Sequence, residues 1–227
     1  MDWRLHWLEA EGDLTPWRDV ILAEVEAAKL AIARLMPPCT LDILIRIRRR
    51  PGQVIPVIGM GGSAWGKYLF DLGIDPGNPN LETSLKDGAL RRLVAHEAHH
   101  CMRYAAIGYG ETLGEALVSE GLAGRFVERI FGTAPEPWEN ALDEAGLRAH
   151  LPDDALLASS DYSHATWFYC WDGRLPCWLG YTLGYRIVGD WLAAVPAPDA
   201  ASWAGVPAET VLAIARERGI LANPGRA

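Results

Sequence analysis

Apolar positions recur along this chain with two different periods, and the period changes partway. Over 17–36 they follow helical spacing. Thr15-Pro16 precedes them, a residue that can cap and a proline that suits the first helical position. Pro37-Pro38 marks the stop. Residues 40–47 alternate and are rich in Leu and Ile, which predicts a strand. Residues 54–58 predict a second strand, closed by Gly59-Met60-Gly61-Gly62, and 65–72 a third. The stretch 75–80, with Pro76, Gly77 and Pro79, reads as a loop. From Thr83 onward the helical period dominates. Helices are expected over 85–107, from Thr112 to 131, more weakly over 138–149, over 180–194, and after Pro207 as far as Gly219. Thr112 and Glu115 match a capping box. One helix, a small sheet and then several helices predict an α+β fold, with a small N-terminal sheet packed on a mainly helical domain.

Half of the 227 residues are apolar and 22% are charged, the composition of a globular chain with a sizeable core. The expected organisation is one domain over 1–227, its core motifs in 54–192 and a helical extension over 193–227 behind an Ala/Pro-rich connector. A net charge of −8 disfavours phosphate backbones, so nucleic acid is not an expected partner. The basic run Arg46, Arg48, Arg49 and Arg50 alternates with Ile45 and Ile47, as on the solvated edge of a strand. The N-terminus lacks a basic region followed by an apolar core, and no uninterrupted apolar run approaches the roughly 20 residues of a spanning helix. A cytoplasmic protein without membrane contact is expected. Cys39, Cys101, Cys170 and Cys177 form no Cys-x-x-Cys pair, so reduced thiols are the expectation, with a Cys170–Cys177 bridge the minority alternative.

The chemistry is concentrated in His96-Glu97-Ala98-His99-His100, which matches H-E-x-x-H inside an expected helix. Residues four apart share a helix face, so His96 and His100 can reach one ion. Glu97 lies about 100° around the helix, placed to contact the water rather than the metal. Ala89, Leu93, His96, His100 and Arg103 continue that face. On the next helix Leu113, Leu117, Glu120, Gly124 and Val127 fall at helical spacing. A carboxylate within an apolar stripe is costly to bury alone, and a metal resolves the cost. Glu120 is therefore the candidate third ligand. Glu111 and Glu115 sit at the turn and helix start, where capping explains them. Gly121 and Gly124 permit a second backbone to approach closely.

H-E-x-x-H followed by a Glu on the next helix resembles the ligand pattern of gluzincin metallopeptidases. Ser119-Glu120-Gly121-Leu122-Ala123 stands at the place of their glutamate helix. The metzincin pattern is not met, because Arg103 and Ala106 replace its Gly and third His. Together with Arg103 and Gly180-Tyr181-Thr182-Leu183-Gly184-Tyr185, these motifs resemble the "predicted zinc-dependent protease" family of unknown function, over roughly 54–192. The resemblance implies a Zn2+ cofactor on His96, His100 and Glu120, with Glu97 as general base and a peptide or protein substrate.

Other residues keep two readings. Tyr181 or Tyr185 can donate to an oxyanion, with His164 as a rival donor, or can simply pack. His99 and Arg103 support the ligands or serve the helix. The aromatic run Trp167, Phe168, Tyr169, Trp171 and Trp178 lines a substrate pocket or fills a core. The 54–62 segment is a candidate edge strand for an extended substrate. Two His and one carboxylate also suit non-haem Fe(II), though that chemistry gives Glu97 no task. A catalytically silent metal-binding or regulatory module is the third reading.

Overall fold

Trp3, Leu5 and Trp7 alternate with Arg4, His6 and Leu8, and this short run opens the chain as a strand with its first set partly buried and the second exposed. The computed structural model describes residues 2–37, 39–50 and 52–221. The chain divides into two units, Met1–Ala105 and Ala106–Ala227. The first holds β1 (Trp3–Leu8), α1 (Arg18–Ile32), β2 (Leu41–Ile47), β3 (Met60–Gly66), β4 (Leu69–Ile74), α2 (Leu81–Lys86) and α3 (Ala89–Ala106). The sheet order is β1-β2-β4-β3. β1 and β4 both run parallel to β2, and β3 pairs antiparallel with β4 at the edge.

Leu41, Ile43, Ile45 and Ile47 are at most 1% exposed, and their register partners Phe70, Leu72 and Ile74 are as deeply buried. Each such side chain contributes about 1.5–3 kcal/mol when removed from water. The stripes Ile21, Val25, Ala28 and Ile32 of α1 and Leu90, Val94, Ala98 and Cys101 of α3 are buried as well. Arg91 of α3 donates twice to Glu24 of α1, at 2.7 and 2.6 Å.

The alternation of β2 is as expected, but its arginines do not lie on a solvated edge. β2 is an interior strand, and Arg46 and Arg48 both donate to the fully buried Asp71 of β4. Glycine at 73 makes room for the Arg48 stem, since a Cβ there would meet Arg48 Cγ at 2.7 Å.

Several boundaries shift for local reasons. Thr15–Trp17 forms a 3-10 turn before α1. The helix ends at Ile32 and tightens into turns, with Arg34 N–H to Ala31 O at 3.2 Å and Leu35 N–H to Ile32 O at 3.0 Å. Pro38 of the expected stop lies outside the described residues. The expected strand over 54–58 is a set of turns with a single bridge, Ile55 to Met60, because Pro56 cannot donate to a ladder. The strand expected over 65–72 is two strands joined at Lys67-Tyr68, with a bulge between Ala64 and Gly66. The long helix expected over 85–107 breaks at Gly88, whose φ is +80°, and Asp87 Oδ1 accepts from Ala89 N–H to start α3.

The second unit holds α4 (Leu113–Phe131), α5 (Glu144–Arg148), α6 (Asp154–Leu157), α7 (His164–Phe168), α8 (Leu179–Ala194), α9 (Ala200–Gly205) and α10 (Ala208–Glu217). The Thr112–Glu115 capping box forms, and Gly132 closes α4 in the left-handed conformation. The helix expected over 138–149 contracts to α5, which starts where Asp143 caps Gly146. α4 and α8 pack backbone to backbone: a Cβ on Gly121 would run into the carbonyl oxygen of Gly184. Arg125 Nε donates to Tyr185 O across the same seam at 3.0 Å. Cys170 and Cys177 are joined as a disulfide, contrary to the expected free thiols; the loop between them folds back to a Cα–Cα separation of 4.4 Å. Cys39 and Cys101 are free.

The fold is α+β, and among the described residues no helix is long and apolar enough to cross a membrane.

Candidate metal centre

α3 carries an unusual density of buried polar side chains: His96, Glu97, His99, His100 and Arg103 are all at most 9% exposed. Such groups rarely enter a core without a shared task. The four-residue spacing places His96 and His100 on one face, with their Nε2 atoms 3.0 Å apart and ring centroids 4.7 Å apart. His99 is fully buried on the flank, its ring 6.3 Å from that of His100. Arg103 is 2% exposed, one helical turn beyond His100.

Glu97 points toward the edge strand. A Cβ on Gly62 of β3 would lie 2.5 Å from Glu97 Cγ and 2.6 Å from its Oε1, so glycine is what lets the strand and the carboxylate share this space.

In the second unit Glu120 sits midway along α4 and is 7% exposed. Tyr109 donates its hydroxyl to Glu120 Oε1 at 2.6 Å, and Ser119 Oγ donates to the carbonyl of Tyr109 at 2.6 Å. Burial pushes the Tyr109 phenol well above its ordinary range, and the Glu120 charge and hydrogen bond push the same way. Rings gather around it. His164 stacks on Phe168 at 4.4 Å and lies 6.3 Å from Tyr109 and 5.4 Å from Tyr169. Tyr181 packs edge-on to Phe168 at 5.1 Å. The aromatic run thus includes Tyr109 in one cluster with two of the candidate donors, Tyr181 and His164.

Tyr185 is placed elsewhere. Arg125 lies over its ring at 3.6 Å, and its hydroxyl donates to Glu128 Oε2 at 2.7 Å. Burial and that carboxylate push its phenol up. Glu128 stands eight residues along α4 from Glu120, about 12 Å of helix rise.

Of the sequence candidates, His96, His100 and Glu120 are brought together: one ligand atom from each lies within 4.8 Å of the other two. Ligand atoms around tetrahedral zinc stand about 3.3 Å apart, given metal–ligand bonds near 2.0–2.1 Å. Two imidazole nitrogens and one carboxylate oxygen could hold a metal ion; on a tetrahedral zinc they would leave the fourth position open. Tyr109 was not among the sequence candidates. Its only signal is a bulky aromatic held between two glycines of a turn.

The family described as "Predicted Zn-dependent protease (DUF2268)" matches residues 79–213, a stretch that contains α3, α4 and α8 in full. No curated protein and no solved structure matches the chain. With more than half of its length matched, across both helices that carry the His-His-Glu cluster, the chain belongs to the family of predicted Zn-dependent proteases.

Proposed function

We propose that this protein is a zinc-dependent metallohydrolase that cleaves peptide bonds, of gluzincin type, with His96, His100 and Glu120 holding the ion. The observation that carries this reading is the buried set of three ligand atoms within 4.8 Å of one another. The family description supports zinc in particular. A bound ion supplies Lewis acidity to the scissile carbonyl and acidifies the attacking water. The chain's own residues do the rest. Glu97 takes the proton of that water and passes it to the leaving amine. Its burial to 5% exposure under β3 keeps the carboxylate in one place. β3 is the last strand of the sheet, and among the described residues its outer edge carries only the Ile55 bridge at Met60, where the strand begins. An extended peptide adding to that edge would pass directly above Glu97. Tyr181 is the donor for the developing oxyanion, with His164 in the same ring cluster as the rival. Tyr185, committed to Glu128, is the weaker choice.

The test is metal content by elemental mass spectrometry for the wild type, His96→Ala and Glu120→Ala, followed by a peptide-library screen of the wild type and Glu97→Gln. Near-stoichiometric zinc, lost in both ligand variants, with turnover lost but zinc retained in Glu97→Gln, supports the proposal. Full turnover in Glu97→Gln sinks the role of that residue. Iron in place of zinc, with oxygen consumption, returns the two-His-one-carboxylate site to oxidative chemistry.

A further inference from the structure

Glu120 is held by more than its own helix. The turn before α4 has Gly108 at φ +95° and Gly110 at φ +103°, conformations that side chains rarely adopt. A Cβ at Gly110 would also run into the side chain of Glu115, the capping-box residue. The reversal this permits turns Tyr109 inward. Two consecutive residues of α4 then clasp it: Ser119 Oγ holds the Tyr109 carbonyl, and Glu120 Oε1 receives the Tyr109 phenol, both at 2.6 Å. The capping box pins the intervening chain, with Glu115 Oε2 accepting from Thr112 N–H at 2.9 Å. A carboxylate with one oxygen tied to this half-buried phenol is restrained in rotation, and an ion bound through both oxygens would have to share Oε1 with that bond.

Resting on the zinc site proposed above, we infer that Tyr109 is a positioning residue, which sets Glu120 as a one-oxygen ligand and fixes its approach to the ion. Outer partners of this kind orient a ligand and raise metal affinity, and their loss typically weakens binding about 10- to 100-fold. The phenol carries out this task without touching the ion or the substrate. It also explains why a bulky aromatic stands between two glycines in a turn that would otherwise favour small residues.

The experiment measures zinc affinity by chelator competition, and the visible absorption of the Co2+-substituted protein, for wild type, Tyr109→Phe and Glu120→Ala. Thermal melts of the metal-free proteins control for folding. Tyr109→Phe is expected to bind zinc about 10- to 100-fold more weakly. Its Co2+ bands should weaken, the signature of a coordination number raised by a two-oxygen Glu120. Unchanged affinity and an unchanged Co2+ spectrum in Tyr109→Phe, beside loss of metal in Glu120→Ala, overturn the positioning role and leave the zinc site standing. Absence of metal binding in the wild type overturns both. Should Tyr109→Phe fail to fold, 3-fluorotyrosine at position 109 keeps the hydroxyl as a stronger donor. It must then shift the Co2+ spectrum, and an unshifted spectrum overturns the role.

Discussion

Gly121→Ala tests whether the α4–α8 seam is a backbone contact that glycine alone permits. The added methyl would be driven into the carbonyl oxygen of Gly184 and would stand 2.8 Å from Val188 Cγ2. The opposing atom is main chain, so no rotamer change relieves the overlap. The helices must part by about 1 Å, a gap that forfeits a quarter to a half of each dispersion contact along the seam. Overpacking against rigid structure destabilises by about 3 kcal/mol, the upper end of the usual range. Alanine in place of glycine returns about 1 kcal/mol through helix propensity. The net loss is about 2 kcal/mol, which for a chain of this size lowers the melting temperature by about 4–8 °C. Calorimetry on the metal-free protein measures it, with Gly205→Ala as control, because a Cβ there meets Ala106 Cβ at an ordinary 3.8 Å. Gly121→Ala melting at or above the wild-type temperature would refute the reasoning.

Two further outcomes follow from the charge arrangement. Asp71→Ala leaves Arg46 and Arg48 facing each other over a vacated site. With Arg48 16% exposed and Arg46 36% exposed and partly screened, a loss of about 3 kcal/mol in urea unfolding is expected, and an unchanged midpoint contradicts it. Burial alone would raise the Glu128 carboxyl, but hydrogen bonds from Arg125 and Tyr185 outweigh it and hold the group below its ordinary value of 4.5. A depressed carboxylate lends its stability above that value and loses it as pH falls through the folded value. The wild-type urea midpoint should therefore drop more steeply below about pH 4.5 than that of Glu128→Gln, and parallel curves would remove the interaction.

The parts of this molecule that could be read from sequence are those set by local spacing. His96, His100 and Glu120 fall on apolar stripes of helical period, and the structure places their ligand atoms within one small volume. The Thr112 cap is equally local. What escaped depends on distant partners. Arg46 and Arg48 look solvated until Asp71, more than twenty residues later, arrives on the neighbouring strand. β1 alternates clearly, but six residues at a chain start carry little weight until β2 pairs with them. Residues 54–58 are apolar enough for a strand, yet Pro56 and the turns around it leave only one bridge. Tyr109 reads as punctuation, because a turn sequence does not say which way its middle side chain faces. Of the two tyrosines on α8, only contacts show that Tyr185 is engaged by Arg125 and Glu128.

The α4–α8 seam also has a consequence in time. Arg125 and its acceptor Tyr185 are 60 residues apart in the chain. At about 5–20 residues per second, a ribosome needs about 3–12 s to supply α8 after α4 has been made. Through that interval Gly121 of α4 lacks the α8 backbone against which it packs in the finished fold. The α4 backbone next to Glu120 therefore reaches its final packing only after α8 has closed over Gly121.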